Sequence, residues 1–385
     1  MVPMRQTASI ISTYTADVSG VCSALFELGG MAVMHDASGC NSTYNTHDEP
    51  RWYDMDSMVF LSGLSEMEAI MGDDEKLIGD IVAAATDLHP RFIAIAGTPI
   101  PMMIGSDFRA IAASVERKTG IPTMGFATNG MHTYARGAGM ALEGFARRFL
   151  KRESVVADKK PHSVNILGLT PLDFSINGSA DSIRRVLADN GFAVVSSWAM
   201  GSSFEQLMDS AQASVNLVVA SSGLLVAKYM YEAFGIPYVV GTPYGQFESN
   251  VIDALSHAIQ CGKNIMTYAD IKACNDADTV IIGECIMSCS LAAALKSEFD
   301  IDARAISTVG TGTELLNCNA VMARDEYSLA PLLKDVRRVI ADPLYRPICP
   351  AGAEFISLPH EAFSGRIYRR DIPDMIGGKL SRFKK

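Results

Sequence analysis

Arg91-Phe92-Ile93-Ala94-Ile95-Ala96-Gly97 is a continuous apolar run ended by glycine. A helical pattern follows over 106–119, and Gly120-Ile121-Pro122 opens the next apolar run. Such a run is a strand buried on both faces, and the helix is its crossover to a parallel neighbour. The unit restarts at Val164-Asn165-Ile166-Leu167-Gly168, with a helix over 180–190, strands over 192–197 and 215–220, a helix over 224–234 and a strand over 235–240. It restarts again at Thr279-Val280-Ile281-Ile282-Gly283, with a helix over 288–299 and a strand over 303–308. The pattern predicts an α/β protein of three Rossmann-like domains, with parallel sheets flanked by helices.

The charged stretch 151–161 marks a first boundary and 262–276 a second. The expected division is 1–158, 159–270 and 271–345, with a C-terminal return segment over 346–385. In open parallel sheets, ligands collect beyond the carboxyl ends of the strands. The loops after Gly97, Leu167, Ala220, Val240, Ile282 and Ser307 are therefore expected to build the site.

The chain has 385 residues, 48% hydrophobic and 20% charged, which suits a globular enzyme with large cores rather than a disordered chain. Its net charge of −10 argues against a nucleic-acid partner, whose footprint is basic. The basic concentration over 379–385 reads as a solvated tail. No apolar run reaches the roughly 18 residues of a membrane span, and no secretory pattern opens the chain. A cytoplasmic location is expected. Eight cysteines there would be reduced, which favours metal binding or catalysis over disulfides. The 20 methionines read as core packing.

Cys22 and Cys40 bracket a stretch that reads as a short helix and a strand, so both thiols could return to one place. Two buried small hydrophobes are the plain alternative. Two soft thiolates are half of what an iron–sulfur cubane takes. Asp36, close to Cys40, is a rival oxygen ligand or a turn cap. His35 is a hydrogen-bond donor to such a site rather than a ligand. The run Thr46-His47-Asp48-Glu49-Pro50 reads equally as a surface turn or as a docking or relay segment.

Cys285 and Cys289 stand four apart at a strand-to-helix turn and so share a helix face. Core burial is the simpler reading, and metal binding the sharper one. Cys261, Cys274, Cys318 and Cys349 read as structural. The stretch Thr308-Val309-Gly310-Thr311-Gly312-Thr313-Glu314 could cradle an anion, but it is no Walker loop. Thr170-Pro171-Leu172-Asp173 and Thr242-Pro243-Tyr244-Gly245 would wall a substrate cavity. His360, in Pro359-His360-Glu361, is the candidate proton donor.

The first module resembles the nitrogenase component 1 superfamily. Three features carry the resemblance. They are Cys22…Gly29-Gly30…His35…Gly39-Cys40, the acidic and glycine-bearing segment 62–77 with Lys76-Leu77, and the loop Thr98-Pro99…Gly105-Ser106-Asp107. Fainter similarity extends to Leu358-Pro359-His360. The resemblance implies paired subunits, a cluster at their interface and electrons from a separate ATP-hydrolysing iron protein.

Departures sharpen it. Pro99 occupies the place of the family's third cysteine. Val218-Val219-Ala220-Ser221-Ser222 lacks the nitrogenase active-site thiol, and Tyr368 falls near the active-site histidine. Dinitrogen is therefore not the expected substrate. The resemblance implies a reductase of an unsaturated substrate, tetrapyrrole-like or other. Its [4Fe–4S] cluster would be shared between subunits, each giving Cys22 and Cys40, in a homodimer or with a paralogous subunit. The alternative is a scaffold that assembles or carries a metallocluster without turnover.

Overall fold

The structure is a computed structural model that describes residues 10–11, 14–37, 44, 49–150, 159–269, 277–309, 313–316, 319–378 and 380–384. Three parallel sheets follow one another along the chain. The first holds β1 (Met31–His35), β2 (Met58–Leu61), β3 (Ile93–Gly97) and β4 (Thr123–Phe126), in the order β2-β1-β3-β4. The second holds β5 (Ser163–Leu167), β6 (Ala193–Ser197), β7 (Val215–Val218), β8 (Tyr238–Val240) and β9 (Ile265–Met266), in the order β6-β5-β7-β8-β9. The third holds β10 (Thr279–Glu284), β11 (Ala303–Val309), β12 (Ala320–Met322), β13 (Arg338–Ala341) and β14 (Glu354–Ser357), in the order β12-β11-β10-β13-β14.

The central strands β1, β3, β5, β7 and β10 are buried along their whole length, as their unbroken apolar runs require. Each sheet reverses its winding once, between β1 and β3, between β5 and β7, and between β10 and β13. In such sheets a reversal is where a crevice is expected, because the crossovers leave on opposite faces.

Local chemistry sets the helix ends. The Asp107 side chain accepts from the backbone of Arg109 and Ala110 to start the helix Phe108–Thr119, which ends at Gly120 with φ 72°. The helices Asp17–Leu25 and Tyr134–Phe149 meet backbone to backbone. A methyl on Gly20 would collide with the Tyr134 carbonyl, and one on Gly137 with the Asp17 carbonyl. This close approach fixes the height of Tyr134 in the molecule.

The C-terminal segment does not stay with the third sheet. Met375, Ile376, Leu380 and Phe383 pack back into the largest core, and Ile376 bridges to Tyr244 of the second module. Burying Leu380 and Phe383 contributes roughly 1.5–3 kcal/mol each.

Three details differ from the sequence expectation. The third sheet continues past residue 345 through β14, whose strand lies beyond a proline-rich turn. The loop after β3 is a helix, Pro99–Ile104, begun by Pro99, whose missing N–H is not needed at a first turn. The helix after β10 starts at Cys285 rather than near 288, because the Glu284 side chain caps it by accepting from Met287 N. Among the described residues, no helix is long and apolar enough to cross a membrane.

Candidate functional site

Two kinds of strand end stand beside the winding reversals. At the first, between β1 and β3, Thr98 Oγ1 lies 3.0 Å from the His35 carbonyl and 2.8 Å from Asp36 Oδ1. His35 Nδ1 lies 2.8 Å from Ser62 Oγ. Burial holds the His35 ring below its ordinary pKa, so it is neutral at physiological pH. His35 thus acts on its neighbours by hydrogen bonds.

Cys22 sits in the middle of the helix Asp17–Leu25, fully buried, in one core with Tyr44, Phe92 and Phe145. Burial, with the Glu49 carboxylate nearby, pushes its thiol far above the usual range. Glu49 is itself buried and holds Arg51 at 2.6 Å, while Arg51 also reaches Glu27 at 2.8 Å. Asp36 stands at the strand end itself, where ligands collect. Cys40, His47 and Asp48 lie outside the described residues.

The second kind of strand end is a cavity of about 50 Å³ between the second and third modules. Its walls come from the winding reversals of both sheets. Asp173 follows β5, Glu284 ends β10 and Asp342 follows β13, while His360 arrives after β14 and Tyr244 after β8. Among the described residues, no lysine or arginine lines it. The sequence alone marked the loops of Asp173 and Tyr244 as cavity walls and His360 as a proton donor, and the structure brings these three together.

Each acid is held differently. Asp173 accepts from Tyr134 Oη at 2.5 Å and from Thr170 Oγ1 at 2.7 Å. Glu284 accepts from Ser221 N of the second module and from Met287 N of its own helix, both at 2.9 Å. Asp342 is spent on structure, accepting from His360 N and Ser364 Oγ, both at 2.7 Å, and from Leu344 N.

Burial and the facing Asp173 carboxylate raise the Glu284 pKa from 4.5 to about 7, although the Ser221 and Met287 groups oppose the rise. Glu284 is therefore a carboxyl that takes or gives a proton near neutrality.

His360 stacks on Phe363 with ring centroids 4.4 Å apart. Its Nδ1 accepts from Ala362 N at 3.3 Å, so the neutral ring carries its proton on Nε2. Nε2 lies 3.6 Å from Asp173 Oδ1, too far for a hydrogen bond, and has no other partner among the described residues. The buried Tyr244 hydroxyl also has no partner of hydrogen-bond geometry there, Thr242 being the side-chain hydroxyl beside it.

Sequence reading did not single out Glu284. Its signal was there, an acid as the last residue of a buried strand, but the two thiols beside it drew the attention. Those thiols, Cys285 and Cys289, are buried and hydrogen-bonded to each other, as core cysteines are. Cys261 is exposed and Cys349 half-buried. Cys274, Cys318 and the glycines 310 and 312 of the candidate anion loop lie outside the described residues. Among the described residues, no group of three or more histidine, cysteine or acidic side chains is arranged to hold a metal ion.

Comparison with known proteins agrees with this architecture. The family described as nitrogenase component 1 type oxidoreductase matches residues 18–264. The nitrogenase iron-molybdenum cofactor biosynthesis protein NifE of Clostridium pasteurianum is 31% identical over 191 residues, 48% of this chain and 40% of that protein. A light-independent protochlorophyllide reductase subunit of Nostoc punctiforme is 30% identical over 186 residues, 46% of this chain and 36% of that protein. These matches span less than half of either relative's own length. Among solved structures, a chain of nitrogenase Cp1 superposes with a TM-score of 0.68 at 17% identity, covering 96% of this chain and 87% of that one, which speaks to the fold. Parallel sheets, strand-end site and sequence match together assign the chain to the nitrogenase component 1 type oxidoreductase family.

Proposed function

We propose that the chain is the substrate-binding subunit of a nitrogenase-like reductase, fed with electrons by a separate ATP-hydrolysing iron protein. The observation that carries this over a scaffold role is the charge of the central cavity. Three carboxyl side chains line it and, among the described residues, no lysine or arginine does. An iron–sulfur precursor is anionic once its thiolate or sulfide ligands are counted and shows sulfide at its surface, and in a low-dielectric cavity like charges repel strongly. A site that loads such a precursor would be basic. An acid-lined site instead suits a molecule that takes up protons as it takes up electrons.

Within the cavity, Glu284 holds a proton near neutrality and His360 Nε2–H points at Asp173. Together they supply and replace protons at a bound molecule. Phe363 fixes the His360 ring by stacking, and the Ala362 N–H fixes its tautomer. Tyr134 and Thr170 hold Asp173 in place, and among the described residues the Tyr244 hydroxyl has no partner.

The substrate class narrows as well. The cavity's 50 Å³ suits about three to five waters, whereas organic ligands of cofactor size take roughly 300–1,000 Å³. A tetrapyrrole would need the modules to part, whereas a small group enters as the chain stands.

Electrons would enter at the crevice of the first sheet. A [4Fe–4S] cluster there would supply one-electron transfer. Cys40 and the strand-end carboxylate of Asp36, doubled by a second copy, suit it better than Cys22 in its core setting.

Anaerobic purification with iron and sulfide analysis tests the proposal. The expected result is one cubane per dimer, reducible by an iron protein with ATP and lost in Cys40→Ala. Labile iron in excess of one cubane, transferable to an apo-client, overturns it in favour of the scaffold.

A further inference from the structure

The acids of the central cavity have a consequence for what binds there, one that rests on the reductase reading for its biological meaning but not for its test. Asp173 and Glu284 face each other from two modules, and each carboxylate oxygen receives one protein hydrogen bond. Every oxygen therefore keeps a free lone pair. Two further groups are built toward the same space with nothing to bond among the described residues. Tyr244 is 2% exposed and its hydroxyl has no partner, and His360 is 9% exposed with Nε2 unpartnered. Both line the cavity. Buried polar groups normally find partners, and unpaired ones cost about 1–3 kcal/mol each. Their number here marks a place kept for a ligand.

We infer that this cavity is a receptor for a small nitrogen cation, an amidinium, protonated imine or ammonium group, held between Asp173 and Glu284 with the Tyr244 hydroxyl accepting a further N–H.

The chemistry selects that class in three steps. The carboxylate and Tyr244 oxygens accept, and His360 Nε2–H is turned toward Asp173, so the ligand must be rich in N–H donors. The described lining contains no lysine or arginine, so the ligand must bring the positive charge. The volume admits a head group of a few heavy atoms. A planar cation with N–H groups on two sides meets two carboxylates at once, which adds geometric selection to charge.

Such a cation competes with a proton. The groups facing Glu284 are Asp173, Tyr134, Tyr244, Tyr268 and Cys285, with His360 and Asp342 across the cavity. None of these described groups is a lysine or arginine. With the carboxyl titrating at about 7, binding should release a proton below neutrality. Affinity should then fall by up to about tenfold per pH unit below that value and level off above it.

Three probes of one shape and three charges test this on the full chain, without cluster or electrons: acetamidinium, acetamide and acetate. Binding is read by saturation-transfer NMR and by the shift in unfolding temperature. At about pH 8, acetamidinium should bind at least tenfold more tightly than acetamide, with acetate weakest. Glu284→Gln, which keeps one oxygen for the Ser221 N–H, should weaken acetamidinium about tenfold and abolish the pH dependence. Tyr244→Phe, which removes one oxygen and no charge, should weaken it severalfold and keep the pH dependence. Equal binding of acetamidinium and acetamide, or Glu284→Gln binding with unchanged affinity, overturns the inference. Acetamidinium binding in a chain that accepts no electrons would leave this inference standing and remove the reductase. Electron uptake without acetamidinium binding would do the reverse.

Discussion

Asp36 and Glu284 occupy equivalent places, at the carboxyl end of the first strand of their sheets and beside a winding reversal, yet their surroundings are opposite. Asp36 is served by Thr98, a hydroxyl from its own sheet, next to a histidine kept neutral by burial. Glu284 reaches across to a different module for the Ser221 N–H and meets a second carboxylate there. One strand end takes a hydroxyl from its own module. The other is left short of donors, and its charge is resolved by a proton or a ligand. Position in the fold thus says where a site can be, and the partners of the strand-end acid say what kind of site it is.

The sharpest way to break the comparison is to remove the second carboxylate. Asp173→Ala strips Tyr134 and Thr170 of their acceptor and should destabilise the chain by about 3 kcal/mol in urea unfolding. The same variant should lower the Glu284 pKa, because the facing charge is gone. An unchanged Glu284 titration, followed by its carbonyl stretch in the infrared, would assign the shift to burial alone.

Next is Glu284→Gln. The folded pKa of about 7 lies above the ordinary 4.5, so the folded chain binds the proton more tightly. That group's stabilising contribution is complete below about pH 4.5 and falls by about 3 kcal/mol as pH rises to about 7. Glu284→Gln should flatten this slope in unfolding temperature against pH, and a slope that survives would place the titrating group elsewhere.

Smaller effects are expected at the other end. Cys22→Ala should lose about 1–2 kcal/mol, the cost of a small core void, and keep its iron. Loss of iron together with retained stability would return Cys22 to the cluster. Thr98→Ala should lose about 1 kcal/mol by removing the hydroxyl that Asp36 and the His35 carbonyl accept from. An equal loss in Thr98→Val, read in the same denaturation series, would confirm that the hydroxyl and not the volume matters.

How much of this was legible in the chain depends on the kind of interaction. Unbroken apolar runs such as 91–97 and 279–283 announced parallel strands, and the structure has them within one or two residues. Strand-end loops followed from the same pattern, so Asp173, Tyr244 and His360 were marked in advance. Glu284 was not, because its importance comes from Asp173, more than a hundred residues away in sequence. A raised pKa is a property of a pair, and a sequence displays only members. Gly20, two residues before Cys22, makes room for the carbonyl of Tyr134 on a crossing helix, a contact that no local pattern displays.

That crossing has a mechanical meaning. Where the helices Asp17–Leu25 and Tyr134–Phe149 touch, no side-chain layer lies between them to deform. Tyr134 in turn ties directly to Asp173. A displacement imposed on the first helix therefore travels through stiff backbone into the hydroxyl that holds the cavity acid. Two absent methyl groups make a rigid linkage of what would otherwise be a cushioned one.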